Sequence, residues 1–283
     1  MSTTSETVST TGDTVRAEIT DGVADVRLNR PEKLNALNQD MFSDLLEMGL
    51  TIRRRSELRA VVLSGAGRGF CAGLDYAMFS AMAAGEPISR EPRRTDLLDP
   101  DDQLLELGRG QRATLVWGTV PVPVIAAVHG PAFGGGFQLM LPADLRLIAP
   151  DAILSVAEVR WGLIPDMAGT QLLPRLVGMD VAKELTFTGR VVTGEEAGQI
   201  RLASRVVDDP RTEALELAHE IAARNPDAVR AAKALLDDSW HLPIGDGLAA
   251  ERAAINNLIG SPNQVEAVRA RLEQRPAVFA GPD

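Results

Sequence analysis

The sequence predicts an α/β fold in which strands and helices alternate and a run of helices closes the chain. Three observations carry this expectation. Residues 59–64 (RAVVLS) and 122–128 (VPVIAAV) are short apolar runs, each followed by a glycine-rich turn, and FQLML after the second turn is helical in pattern. Residues 15–28 alternate apolar and polar positions around Asp21-Gly22, the period and turn chemistry of a β-hairpin. Beyond about Val206 only helical periodicity remains.

The chain has 283 residues, 45% of them apolar, enough for one large domain with an appendage. A net charge of -10 repels phosphate backbones and anionic membranes, so neither nucleic acid nor membrane is expected as a partner. Cys71 is the sole cysteine, which rules out an intramolecular disulfide and suits a reducing cytoplasmic setting. The opening residues lack the basic and apolar regions of a signal peptide, and no apolar run reaches about 18 residues, so a soluble protein that is not exported is expected. Residues 1–12, rich in Ser and Thr, are predicted to be a disordered tail.

After the hairpin, Pro31-Glu32 interrupts the chain. Asn38 then suits the cap of a helix whose apolar positions Met41, Phe42, Leu45, Leu46 and Ile52 recur at helical spacing. Arg53, Arg54 and Arg55 complement its negative C-terminal end. The first apolar strand runs into Gly65, Gly67 and Gly69, and the second into Gly130 and then Gly134, Gly135 and Gly136. Further strands are predicted at 145–148 and 153–155. Between the two units, residues 81–110 mix charges with prolines and read as a mobile flap. Amphipathic stretches at 212–223, 227–236, 247–259 and 262–274 make a poor core alone, so they are expected to pack on the main domain or on neighbouring copies. The expected division is a tail at 1–12, an α/β core at 13–205 and a helical oligomerisation region at 206–283.

GRGFCAGLD at 67–75, HGPAFGGGFQLML at 129–141 and SVAEVRWGLIPDMAGTQLLPRLVG at 155–178 together resemble the crotonase superfamily, the enoyl-CoA hydratases and isomerases. RPEKLNALN at 30–38, FTGR at 187–190 and the ending RPAVFAG extend the resemblance from about residue 13 to 281. It implies a spiral of repeated β-β-α units with two mixed sheets, a helical C-terminal region, and homotrimers or hexamers of two trimers. It also implies an acyl-CoA substrate, with coenzyme A present as part of that substrate and no permanently bound cofactor.

By resemblance, the backbone N–H groups of Leu74 and Gly135 form an oxyanion hole for the thioester oxygen. The chemistry needs them. Removing a proton beside a thioester carbonyl, or adding a nucleophile to its conjugated double bond, places negative charge on that oxygen. Each such donor is worth roughly 2.7 to 4 kcal/mol. Glycine at position 135 lets a ligand approach the backbone, and the start of a helix there favours an anion. The alternative is that both glycine turns merely connect strand to helix.

A base is also required. Family hydratases carry a glutamate at the position of Gln138, and an amide orients groups by hydrogen bonds without accepting a proton as a base. Glu158, flanked by Ala157, Val159 and Trp161, remains as the expected general base, with its pKa raised by desolvation. Its other reading is a surface or capping carboxylate. Asp166 matches a catalytic aspartate of the family's dienoyl-CoA isomerases, and a Glu158–Asp166 pair could move a proton between carbons. Asp166 could equally cap a helix beginning near Ala168.

For coenzyme A, the resemblance points to Lys33 near the phosphates, to backbone groups of Ala36 and Ala72, and to Phe279 from the C-terminal segment, often of a neighbouring subunit. Arg68 and the flap residues Arg90, Arg93 and Arg94 are further cationic candidates. Cys71 reads as a small buried thiol rather than a nucleophile, since no His or Asn arrangement supports it. His129 suits a hydrogen bond to turn backbone, His219 and His241 form no metal-ligand pattern, and Tyr76 is read first as packing with acyl contact as the alternative. Double-bond isomerisation by one carboxylate is the favoured activity. Hydration, other thioester chemistry, or acyl-CoA binding without turnover are the alternatives.

Overall fold

The structure, a computed structural model, describes residues 5–86, 98–99 and 101–281. Strands β2 (Val15–Thr20) and β3 (Val23–Leu28) form the expected hairpin, and Asp21 and Gly22 both take positive φ, as its two-residue turn requires.

The N-terminal expectation needs correction. Residues 5–9, predicted to belong to a disordered tail, form strand β1 (Ser5–Ser9), antiparallel to β2. An edge strand needs backbone pairing more than side-chain burial, and helix α1 (Gln39–Arg53) supplies the anchor beyond it. Its buried Asp44 accepts hydrogen bonds from Gly12 N at 3.0 Å, Thr14 N at 2.9 Å and Thr14 Oγ1 at 2.7 Å.

From β3 the sheet turns parallel. β4 (Ala60–Gly65) pairs with β3 and with β5 (Val124–Val128), β5 with β7 (Leu145–Ile148), and β7 with β10 (Arg205–Val206). The resulting order is β1-β2-β3-β4-β5-β7-β10. β4 and β5 are buried throughout, so both faces must be covered. Alternation divides them: Val61, Leu63, Val124 and Ala126 face a core shared with α1, whereas Ala60, Val62, Ile125 and Ala127 face Ala214 and Ala218 of α8 (Pro210–Ala222). Asn38 caps α1 through Met41 N, as expected.

A second sheet is small. β6 (Pro131–Phe133) runs parallel to β8 (Ile153–Ser155), which pairs antiparallel with β9 (Val192–Thr193). Between β4 and β5 lie α2 (Tyr76–Ala83) and α3 (Arg109–Leu115). Part of the segment read as a flap is packed. Leu98 and Leu104 are buried in the core, and Asp102 pairs with Arg53. The prolines and charges that suggested mobility hid these two anchors. Arg90, Arg93 and Arg94 lie outside the described residues.

The C-terminal half carries α5 (Gly169–Val177), α6 (Met179–Thr188), α7 (Gly194–Gln199), α8, α9 (Pro226–Asp238), α10 (Ile244–Leu258) and α11 (Pro262–Leu272). α8 completes the core by covering the sheet, and α9 is tied down by Lys233, whose Nζ lies 2.6 Å from Asp144 beside β7. α10 buries none of its residues. No helix among the described residues is long and apolar enough to cross a membrane.

Asp44→Ala strips the acceptor from three donors around the N-terminal loop. It is expected to cost about 1–3 kcal/mol in urea unfolding, and to speed amide exchange in β1 more than in β4.

Candidate active site

Parallel pairing of β4 with β5 places both glycine turns at the same edge of the sheet, beyond the C-terminal ends of the strands. The first turn, residues 67–75, is stitched to its neighbours by backbone bonds. Leu37 N donates to Gly73 O at 2.7 Å, Asp75 N to Leu37 O at 3.0 Å, and Phe133 N to Cys71 O at 3.1 Å. Gly73 takes φ +88°, and a Cβ there would lie 2.5 Å from Phe133 O. At Gly136 a Cβ would lie 2.2 Å from Cys71 O. The two turns therefore touch backbone to backbone. Among the described residues, no hydrogen bond engages the N–H of Leu74 or of Gly135, and both residues line one cavity. α4 (Gly135–Leu139) spans little more than one turn, so local N–H groups outweigh any macrodipole there.

Glu158 arrives from the second sheet. Gly134 N donates to Ser155 O at 2.9 Å, which sets the end of β8 against the second turn, and a Cβ on Gly134 would come within 3.4 Å of Glu158 Oε1. The carboxylate is 7% exposed and caps nothing, so the surface reading fails. Gln138, 1% exposed, holds it in place. Its Oε1 accepts from Met167 N at 2.8 Å and Gly169 N at 2.9 Å, which fixes the amide orientation. Its Nε2 then donates to Glu158 Oε1 at 2.5 Å. Glu158 Oε2 is buried and has no hydrogen-bond partner among the described residues. Burial pushes this carboxyl above the usual glutamate range and the nearby Asp166 charge adds to the shift, while the residue's own backbone N–H and the Gln138 bond oppose it.

The capping alternative for Asp166 is overturned. α5 starts at Gly169 with Ala168 as its cap residue and no side-chain cap, and the free N–H of Gly169 is satisfied by Gln138 instead. Asp166 is an exposed residue on the cavity wall.

The cavity encloses about 750 Å³, within the range of ligand sites. It gathers Leu74, Gly135, Glu158 and Asp166, with Ala72 at one side and Gln138 behind Glu158. Ala72 N is committed to Leu34 O at 2.9 Å, which leaves its carbonyl. The remaining coenzyme A candidates are not brought there. Lys33 and Arg68 are exposed outside the cavity. Ala36 is buried, with its carbonyl engaged by Arg30 Nη1. Phe279 sits by the opposite edge of the sheet, where its carbonyl accepts from Arg59 Nη2 at 3.2 Å, next to the start of β4.

Two residues escaped the sequence reading. Asn35, fully buried with φ +56°, donates from Nδ2 to Ala66 O and Gly69 O, both at 2.9 Å, and so braces the first turn. Its positive φ matches a known tolerance of Asn, but no spacing rule marks it. Arg109, inside the supposed flap, lines the cavity with its guanidinium 4.5 Å from the centre of the Phe42 ring. Burial lowers its pKa and Asp166 opposes that shift.

Cys71 and His129 behave as read. The Cys71 thiol is fully buried, donates to Asn35 O at 3.1 Å, and is pushed up to about 12 by burial, so it is no nucleophile. His129 Nε2 lies 2.9 Å from Gly67 O. Among the described residues no group of three His, Cys, Asp or Glu could hold a metal ion.

The strand-edge cavity thus joins two glycine turns to a buried carboxylate. The family model for enoyl-CoA hydratase/isomerase covers residues 18–282, and the chain belongs to that family. The enoyl-CoA hydratase of Bacillus anthracis superposes with a TM-score of 0.80 at 30% identity, covering 100% of both chains. A short-chain-enoyl-CoA hydratase of Clostridium acetobutylicum is 34% identical across 89% of this chain and 92% of its own. A mitochondrial Delta(3,5)-Delta(2,4)-dienoyl-CoA isomerase of Mus musculus is 33% identical across 89% of this chain and 77% of its own. The chain is thus an enzyme of this family, with the mixed α/β fold of the crotonase superfamily.

Gln138→Leu removes the acceptor of two buried N–H groups and the donor to Glu158. Each unsatisfied N–H costs about 1–3 kcal/mol. The variant should unfold at lower denaturant, and the Glu158 carboxyl should titrate at still higher pH by carbon-detected NMR.

Proposed function

We propose that the enzyme moves a double bond within a fatty or related acyl-CoA, using Glu158 as its single main base and the N–H groups of Leu74 and Gly135 as the oxyanion hole. One observation carries the reading. Glu158 has one oxygen held by a neutral amide and the other without a side-chain or neighbouring partner among the described residues, in the same cavity as both N–H groups. On this reading Oε2 takes a proton from the carbon alpha to the thioester carbonyl of a 3-enoyl substrate. The C–H electron pair moves into the enolate, whose oxygen is met by the two N–H groups. Glu158 then gives the proton back at the gamma carbon, which leaves the 2-enoyl product and the carboxylate ionised again; where Asp166 is the donor instead, it first takes a proton from water and Glu158 afterwards returns its own to water. No water is consumed.

Similarity does not choose between the activities named for the relatives, since the hydratase and the isomerase are nearly equally identical to this chain. The side chain at 138 does bear on the choice. Water addition in the family uses two carboxylates, and the amide of Gln138 accepts no proton. Asp166 favours hydration as the second reading, because it supplies another carboxylate on the same wall.

The acyl-CoA is read as lying across Ala72 with its phosphates toward the exposed Lys33. The homotrimer, or hexamer of two trimers, is supported by apolar side chains left exposed along α10 and α11, among them Ile244, Leu248, Ile255 and Leu272. Sedimentation equilibrium reads it directly.

Purified protein mixed with 2-enoyl-, 3-enoyl- and 3,5-dienoyl-CoA should isomerise a 3-enoyl or dienoyl substrate, and Glu158→Gln should lower kcat about 10²- to 10⁴-fold. Rapid hydration of the 2-enoyl substrate would overturn the preference, and binding without any turnover would point to an acyl-CoA-binding protein. The base works ionised, so kcat/KM should rise with pH through a midpoint above 4.5, the ordinary glutamate value. Asp166→Asn removes the charge that helps to raise Glu158, so the same limb should move to lower pH.

A further inference from the structure

We propose that α2 and the turn after Glu158 form an aromatic wall that selects long, uncharged acyl chains, of about eight carbons or more, over four-carbon ones. This rests on the acyl-thioester reading above. Tyr76, Phe79 and Met82 recur every three residues, so they lie along one stripe of α2, and all three line the cavity. The only residue that α2 buries is Met78. The apolar stripe thus faces the cavity and not the core. Trp161 meets it from the other side. Its ring stacks on Phe79 at 4.2 Å between centroids, with 22° between the planes, and Tyr76 meets it edge-on at 6.1 Å.

Position ties this wall to the reacting end of a substrate. Tyr76 follows Leu74 by two residues, and Trp161 closes the single 3₁₀ turn that begins at Glu158. Ile164 extends the surface, and it is 70% exposed, while Tyr76 is 76% and Trp161 49% exposed. Apolar surface of this kind beside a catalytic carboxylate is unfavourable in water and is covered when a chain lies on it. Size argues the same way. A cavity of about 150 Å³ accommodates benzene, and this one is about 750 Å³. A four-carbon acyl group would leave most of the wall wet.

Two arginines on the cavity wall, Arg109 and Arg160, could favour a different substrate, one ending in a carboxylate. The guanidinium of Arg109 is already engaged by Phe42, Gln39 and the field of Asp166, and Arg160 is exposed to solvent, so an uncharged chain passing them leaves no charge newly stranded.

The test measures dissociation constants of saturated butanoyl-, octanoyl- and decanoyl-CoA by calorimetry, and kcat/KM for enoyl-CoA substrates of the same lengths. Affinity and kcat/KM are expected to rise at least tenfold from four to ten carbons. Trp161→Ala and Phe79→Ala should each reduce that ratio severalfold. A flat length profile, or a glutaconyl-CoA substrate preferred over decenoyl-CoA, would sink the proposal while leaving the proton-transfer reading intact. Length-dependent binding without turnover would support the wall and remove the proton-transfer reading. Because Phe79 sits on a largely exposed helix, its variant keeps the test decisive if Trp161→Ala does not fold. If either variant alters the sedimentation of the protein and leaves the length profile as it was, the surface joins subunits and the proposal fails.

Discussion

Backbone contact between the two glycine turns constrains everything around it. β4 and β5 are adjacent and parallel, so the chain leaves both at one edge and the two loops must share the same space. With Cβ positions at 73 and 136 only 2.5 Å and 2.2 Å from carbonyl oxygens across the contact, side chains there would force the loops apart. Separation would also split the N–H of Leu74 from that of Gly135. The glycines are therefore a condition of assembly before they are a feature of any ligand site. Asn35 and the pairing of Arg30 with Asp75 at 3.1 Å brace the first turn from behind.

Gln138 shows how one side chain can serve fold and site together. Its carbonyl satisfies Met167 N and Gly169 N, replacing a cap that Ala168 cannot provide, and its amino group holds Glu158. A glutamate placed there would still accept from both N–H groups, but its second oxygen would face Glu158 Oε1. One of the two would then have to carry a proton. The amide avoids that conflict. It leaves Glu158 as the sole carboxylate at that point, raised by burial and not by a directly bonded acid.

The legible part of this molecule was local. The hairpin, the Asn38 cap, the two strand-and-glycine units and the C-terminal helices each rest on chemistry within a few residues of sequence. Family motifs carried Leu74, Gly135, Glu158 and Asp166 into one cavity. What was hidden depends on partners distant in the chain. Strand β1 holds through β2 and sits beside a loop fixed by Asp44, some 30 residues on. Arg109 reaches Phe42 and the cavity from within a stretch whose prolines and charges read as loop. The helix that Asp166 could have capped, on one of its two readings, is served by Gln138, 31 residues before Gly169.

Charge supplies the last step. The protein is acidic overall, at -10, yet on the proposed reading it stabilises an anion. Neutral dipoles resolve this without a cation. Two N–H groups stabilise an enolate oxygen only where it forms, whereas a full positive charge close to Glu158 would favour its carboxylate at all times and weaken it as a base. Of the two arginines on this cavity wall, Arg109 is partly desolvated and lies within the field of Asp166, so its charge is offset, and Arg160 is exposed to solvent. The same arrangement suits an apolar acyl chain. Beyond the reacting atoms, the α2 stripe and Trp161 present hydrocarbon and ring faces, and a low-polarity lining strengthens each fixed dipole that points into it.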